Sequence, residues 1–151
     1  MSIHAENKEN RSRQIQLLYA FLKAHKLAVM ATVSGDCVPQ AAAVGFVVNQ
    51  DLELVISSFY NSRKYENIKK NPRVALVIGW EKGKTVQYEG VAVEVDPRSF
   101  MEDEFLKMLA NVPAIAKYLE NEHGVFYKIK PLWVRFADLS QDPFYKFELK
   151  F

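Results

Sequence analysis

The chain has 151 residues, 49% hydrophobic and 25% charged, a balance that suits one ordinary domain with its own core. Twenty Lys and Arg against eighteen Asp and Glu leave a net charge of +2, too small to argue for a nucleic-acid binder. A single cysteine, Cys37, excludes an intramolecular disulfide framework, and the longest apolar run, Ala41 to Val48, is far short of the roughly 20 residues of a membrane helix.

The opening stretch, Met1 to Arg13, is polar and mixed in charge and does not read as a signal peptide. With no proline-rich, serine-rich or repeated segment, residues 1–151 read as a single cytoplasmic domain. About Asn7 to His25, Ile15, Leu18 and Leu22 share one helical face, which predicts an amphipathic helix lying against the body. Leu27 to Val33 reads as a strand that turns at Ser34-Gly35-Asp36 into a second, Val38 to Val48. Asn49-Gln50-Asp51 is the next turn, and Leu52 to Ser57 the third strand. A short helix begins near Arg63, with Tyr65 and Ile68 on its apolar side, followed by a strand from Arg73 to Trp80.

Lys84 to Val95 is the fifth strand, and its alternation changes parity. Val86 and Tyr88 share one face, whereas Val91, Val93 and Val95 share the other, with Gly90 at the slip. That pattern predicts a β-bulge or sharp barrel bend. Helices are expected from Met101 to Val112 and from Ala114 to His123, then strands from Val125 to Ala137, interrupted by Pro131, and from Phe144 to Phe151. Strands dominate and connect through short turns, so the fold class is mainly β: an antiparallel barrel with flanking helices.

Most enzyme signatures are missing. His4, His25 and His123 are scattered without ligand-type neighbours at metal spacing, and Cys37 has no nearby histidine. Gly79-Trp80-Glu81-Lys82-Gly83-Lys84-Thr85 resembles the end of a phosphate-binding loop, but the spacing is one residue short and a strand follows rather than a helix. A β-turn is the better reading.

One constellation stands out, Ser57-Ser58-Phe59-Tyr60-Asn61-Ser62-Arg63-Lys64. Ser62 can cap the helix that follows, leaving free backbone N–H groups in its first turn. Two cations at the positive end of a helix oppose its dipole, yet they make sense if a phosphate lies between them. On spacing alone, a capped helix with two solvated cations is the simpler reading.

The segment from Leu52 to Val77 resembles the pyridoxamine 5'-phosphate oxidase-like family: a strand ending in hydroxyl residues, Ser-Arg-Lys opening a helix, and Asn71-Pro72 opening the next strand. His25 to Val33, the strand at Pro39 and Val86-Gln-Tyr-Glu-Gly-Val-Ala are similar as well. The resemblance implies a split β-barrel, a homodimer, and FMN bound between the subunits. It places Ser57, Ser58 and Ser62 at the flavin, Arg63 and Lys64 on its phosphate, and Thr85 where a partner subunit's glutamine stands in the oxidase. The strand from Ala42 to Val47 would run beneath the flavin ring. The oxidase's Arg and Lys at the ends of that strand are Ala42 and Val47 here, and its C-terminal Arg-Leu-His motif is missing. Trp133 and Arg135 lie in the matching strand region but do not align with the oxidase's flavin contacts. The closer likeness is to short, stress-associated flavoproteins, which implies an FMN-dependent oxidoreductase acting on a small molecule other than pyridoxamine 5'-phosphate. Binding of deazaflavin F420 or haem, or a non-enzymatic flavin-binding role, are the alternatives. Tyr60, Trp80, Tyr88 and Trp133 are pocket candidates or core aromatics.

Overall fold

The computed structural model describes residues 3–96 and 121–151, together with Asn111, Pro113 and Lys117. The helices expected from Met101 to Val112 and from Ala114 to His123 lie outside the described residues, but for Asn111, Lys117 and residues 121–123. The last three form a turn, closed by the Gly124 amide on the Asn121 carbonyl at 3.0 Å.

The first helix, α1, covers Ile3–Lys23. Strands β1 (Leu27–Val33) and β2 (Pro39–Val48) form the predicted hairpin, and β3 is Leu54–Phe59. Helix α2 (Arg63–Lys70), β4 (Arg73–Ile78), β5 (Lys84–Val95), β6 (Gly124–Asp138) and β7 (Tyr145–Lys150) follow. All pairings are antiparallel, in the order β3-β2-β1-β4-β5-β6-β7, and β3 pairs with β6 to close a barrel of the first six. Strand β6 explains the split. Its first half, from Gly124 to Ile129, holds β3, and its second half, from Trp133 to Asp138, holds β7.

Alternation along β1, β4 and β5 fills the interior, while Val44–Val48 of β2 and Leu54–Ser58 of β3 are buried without a break. Ala28, Met30, Phe46, Ile56, Leu76, Val86, Tyr88, Tyr127 and Val134 are all buried in one cluster, joined by Leu18 and Leu22 of α1. Helices α1 and α2 sit at opposite ends of the barrel. Phe21 of α1 packs on Gly79, just beyond β4, and edge-on against Phe136 at 5.4 Å. Lys70 of α2 packs on Gly35, in the β1–β2 turn.

Several strand limits differ from the sequence reading by one or two residues, and three departures have a clear physical cause. β3 starts two residues late because Asn49 extends the turn. Its side-chain oxygen accepts from the amides of Asp51 (3.1 Å) and Glu53 (2.9 Å), and Leu52 adopts φ 60°. β4 ends before Gly79, whose φ is 66°; a Cβ there would lie 2.6 Å from the Phe21 ring. β6 runs unbroken through Pro131, whose missing N–H falls at an irregularity in the ladder.

That irregularity is the bulge predicted at Gly90, with the extra residue on the other strand. Glu89 pairs with Trp133 and Gly90 with Pro131, so Leu132 of β6 is unpaired. β5 therefore keeps its parity. Val86, Tyr88, Gly90 and Ala92 stay on the buried face, and Val91, Val93 and Val95 point outward. Glycine is required because the Lys130 carbonyl oxygen would stand 2.5 Å from a Cβ at position 90.

Two buried tyrosines make opposite predictions. The Tyr88 hydroxyl donates to the carbonyls of Leu52 (2.9 Å) and Ile129 (3.0 Å), tying the strained turn to the barrel. The Tyr127 hydroxyl is buried with no hydrogen-bond partner among the described residues. Tyr88→Phe is expected to cost about 1–2 kcal/mol, whereas Tyr127→Phe is expected to be neutral or stabilising. Burial raises both phenols above the ordinary value, with Glu53 adding to Tyr88 and Glu94 adding to Tyr127. The unfolded chain then loses these protons first. Stability should be complete below pH about 10 and fall as pH rises beyond it, less steeply in Tyr127→Phe. Urea unfolding of the three proteins at neutral and alkaline pH checks both statements.

Candidate functional site

The end of β3 and the start of α2 form one compact polar unit. Ser57 and Ser58 are buried, opposite Phe126 and Val125 of β6. The chain turns after Phe59, with the Ser62 amide donating to the Phe59 carbonyl at 3.0 Å. Ser62 is the N-cap, in extended conformation, and its hydroxyl accepts from the Tyr65 amide at 3.2 Å. The Ser58 and Ser62 hydroxyls are hydrogen-bonded at 2.7 Å. Because Ser62 already accepts from Tyr65, this bond joins the strand end to the helix cap.

Arg63 and Lys64 are the first two residues of α2, so their amides lie ahead of any intrahelical acceptor. Arg63 is exposed and Lys64 half-buried, and neither side chain meets a carboxylate among the described residues. Burial alone holds the Lys64 ammonium below the ordinary lysine pKa. A half-buried cation at the positive end of a helix, with no counter-ion among the described residues, is electrostatically incomplete there. An anion would complete it. At the other end Lys69 and Lys70 suit the dipole, and Lys69 also lies over the Tyr65 ring.

Thr85 is not part of this unit. It pairs with Ala137, while Ser57 pairs with Phe126 on the same strand, so they are separated by roughly 35 Å of strand path. Thr85 belongs to the end of the barrel that carries α1. Ala42 is half-buried and Val47 buried on β2, so neither supplies a charge. Of the aromatic candidates, Tyr88 is core and Trp80 is exposed in the turn after β4. Tyr60 is exposed beside the unit, edge-on to Tyr65 at 5.0 Å, with its hydroxyl on Glu94 at 3.3 Å.

Trp133 lines a groove of about 200 Å³ on the outer face of β1, β4, β5 and β6. Val29, Ala31, Ala75 and Val77 form its apolar floor, with Gln87 and Glu89 at its side. Gly79 to Thr85 is the turn the sequence suggested, closed by the Lys84 amide on the Glu81 carbonyl at 3.2 Å and leading into strand β5. His25 packs on Phe21 with Nδ1 2.7 Å from that residue's carbonyl oxygen, and His123 is exposed. No group of three or more His, Cys, Asp or Glu side chains among the described residues could hold a metal, and no described helix is long and apolar enough to cross a membrane.

The sequence reading missed Asn67. It is buried on the barrel side of α2, where its amide donates to Thr32 Oγ1 (2.9 Å) and Gln40 Oε1 (3.1 Å). Thr32 and Gln40 face each other across β1 and β2. The partners of Asn67 stand 35 and 27 residues away in the chain, so no local pattern marked it.

Residues 16–138 match the family described as Pyridoxamine 5'-phosphate oxidase. No curated protein matches the chain at a significant level. Among solved structures, the General Stress Protein 26 from Bacillus anthracis is similar at TM-score 0.65 and 19% identity, over 93% of this chain and 98% of that one. HutZ, the haem storage protein from Vibrio cholerae, is similar at TM-score 0.59 and 19% identity, over 87% and 91%. PhzG from Burkholderia lata, solved with tetrahydrophenazine-1-carboxylic acid, is similar at TM-score 0.60 and 14% identity, over 96% and 92%.

Proposed function

Because the chain belongs to the pyridoxamine 5'-phosphate oxidase family, we propose that it is an FMN-binding oxidoreductase acting on a small molecule other than pyridoxamine 5'-phosphate. The observation that carries this reading is the start of α2. A capped helix end, two open amides, an exposed guanidinium and a half-buried ammonium without a counter-ion among the described residues fit a phosphate monoester. Arg63 suits two phosphate oxygens at once, Lys64 adds a point charge, and Ser58 and Ser62 add hydroxyls. Bound FMN supplies electron transfer, and the chain's part is to grip, orient and shield it.

The reading extends to a homodimer. On the outer face, Val29 and Val77 are neighbours in register, yet 39% and 40% exposed, beside Ala31, Ala75 and the Trp133 groove. Such a patch favours cover by a second copy. Thr85 and the Ser58–Lys64 unit lie at opposite barrel ends, so a shared flavin site takes Thr85 from the partner. Light scattering at micromolar concentration should return about 35 kDa, twice the 17.4 kDa chain; a value near one chain would overturn the dimer.

Pyridoxamine 5'-phosphate should not be oxidised at an enzymatic rate. Ala42 and Val47 stand where the oxidase carries cations, and each lost charge-assisted bond costs about 1.5–3 kcal/mol. Steady pyridoxal 5'-phosphate formation in a direct assay would contradict this. The reading as a whole is tested by the visible spectrum of the purified protein, with mass analysis of the molecule it releases. A flavin spectrum and FMN are expected; a haem spectrum, or deazaflavin, would replace it.

A further inference from the structure

Asn67 follows Lys64 by three positions and Arg63 by four, so it lies one turn further along the same short helix. It is a costly choice for that position. Asn is a modest helix former, and a buried amide must have its hydrogen bonds satisfied, whereas leucine would pack beside Ile68 without either demand. Here the buried donors are satisfied, since the amide hydrogens go to Thr32 on β1 and Gln40 on β2.

Apolar contact and directional bonds constrain a helix differently. Packing of Ile68 fixes how close α2 lies to the barrel but tolerates rotation about its own axis. Helix α2 spans eight residues, too short to hold itself in place. Two bonds from one amide to two strands already locked in register fix its rotation. At its N-terminus the Ser58–Ser62 bond fixes the helix start to the end of β3. Between these two anchors stand Arg63 and Lys64.

We infer that Asn67 is a positioning residue for the anion grip, its side-chain amide fixing α2 on Thr32 and Gln40 so that Lys64 and the first-turn amides face the end of β3. This rests on the phosphate reading of that site. Asn67 itself touches no ligand; it acts through the helix.

The test compares FMN with riboflavin, which lacks the phosphate, by titration into flavin-free protein. Asn67→Leu should lower the FMN-over-riboflavin preference about tenfold while leaving riboflavin affinity within about twofold. Thr32→Val should do the same, and Thr32→Ser, which keeps the hydroxyl, should restore the preference. This pair carries the test if Asn67→Leu fails to fold. In a Lys64→Ala background, Asn67→Leu should produce a smaller further loss of preference, because only the first-turn amides and Arg63 are left to misplace. A role in stability alone would move both flavins together. A wild-type preference that Asn67→Leu and Thr32→Val both keep would overturn this inference alone. Equal binding of the two flavins by wild type would overturn the phosphate reading and this inference with it.

Discussion

Replacing Arg63 and Lys64 together with alanine is expected to weaken FMN binding by about a hundredfold or more. Each cation contributes a charge-assisted contact worth about 1.5–3 kcal/mol, and 1.4 kcal/mol is tenfold in affinity. The open amides of α2 and the Ser58 and Ser62 hydroxyls remain and offset part of the loss. Riboflavin should lose far less in the same variant. The fold should survive, because Arg63 is exposed and removal of Lys64 relieves a desolvated charge. A pH dependence follows from the sign of the Lys64 shift. Its ammonium deprotonates below the ordinary lysine value, so FMN affinity should fall as pH rises through that lowered pKa. The double variant should lack that fall. Fluorescence titration of both flavins across alkaline pH measures all of these.

Gly90→Ala is expected to cost roughly 3 kcal/mol of stability. The new Cβ would meet the Lys130 carbonyl oxygen at 2.5 Å and Ile129 Cγ2 at 2.7 Å, both parts of the paired strand. The carbonyl cannot move without opening the ladder between β5 and β6, which holds the closing strand of the barrel, and the Ile129 side chain is fully buried with little room to turn. Gly35→Ala is the control. Its Cβ would meet only the flexible Lys70 side chain at 3.3 Å, so the cost should be small. Urea denaturation of the two variants beside wild type checks the contrast; equal midpoints would mean that the bulge relaxes.

The barrel was legible because β1, β4 and β5 alternate, β2 and β3 are short apolar runs, and the runs stop at or near turn residues. β1 and β5 occupy the residues their patterns predicted. Gly90 signalled the bulge but not which strand carries the extra residue, since a single glycine speaks for a pair of strands. Leu52 looked like strand because it is apolar and buried; the turn belongs to Asn49, whose side chain does the bonding.

The site divides in the same way. Ser58, Ser62, Arg63 and Lys64 are close in the chain, and capping rules alone bring them together. Asn67 depends on Thr32 and Gln40, which meet it only after the barrel has closed, so no local pattern announces it. Thr85 is placed by strand register, which puts it at the far end of its own barrel.

The central claim is that the start of α2 grips the phosphate of FMN. Titration of flavin-free wild-type protein with FMN and with riboflavin tests it most directly. The expected result is FMN binding more than about a hundredfold tighter, since the phosphate gains the open amides of α2 as well as two charge-assisted contacts. Equal affinity for the two flavins would contradict it and leave α2 a capped helix with two solvated cations.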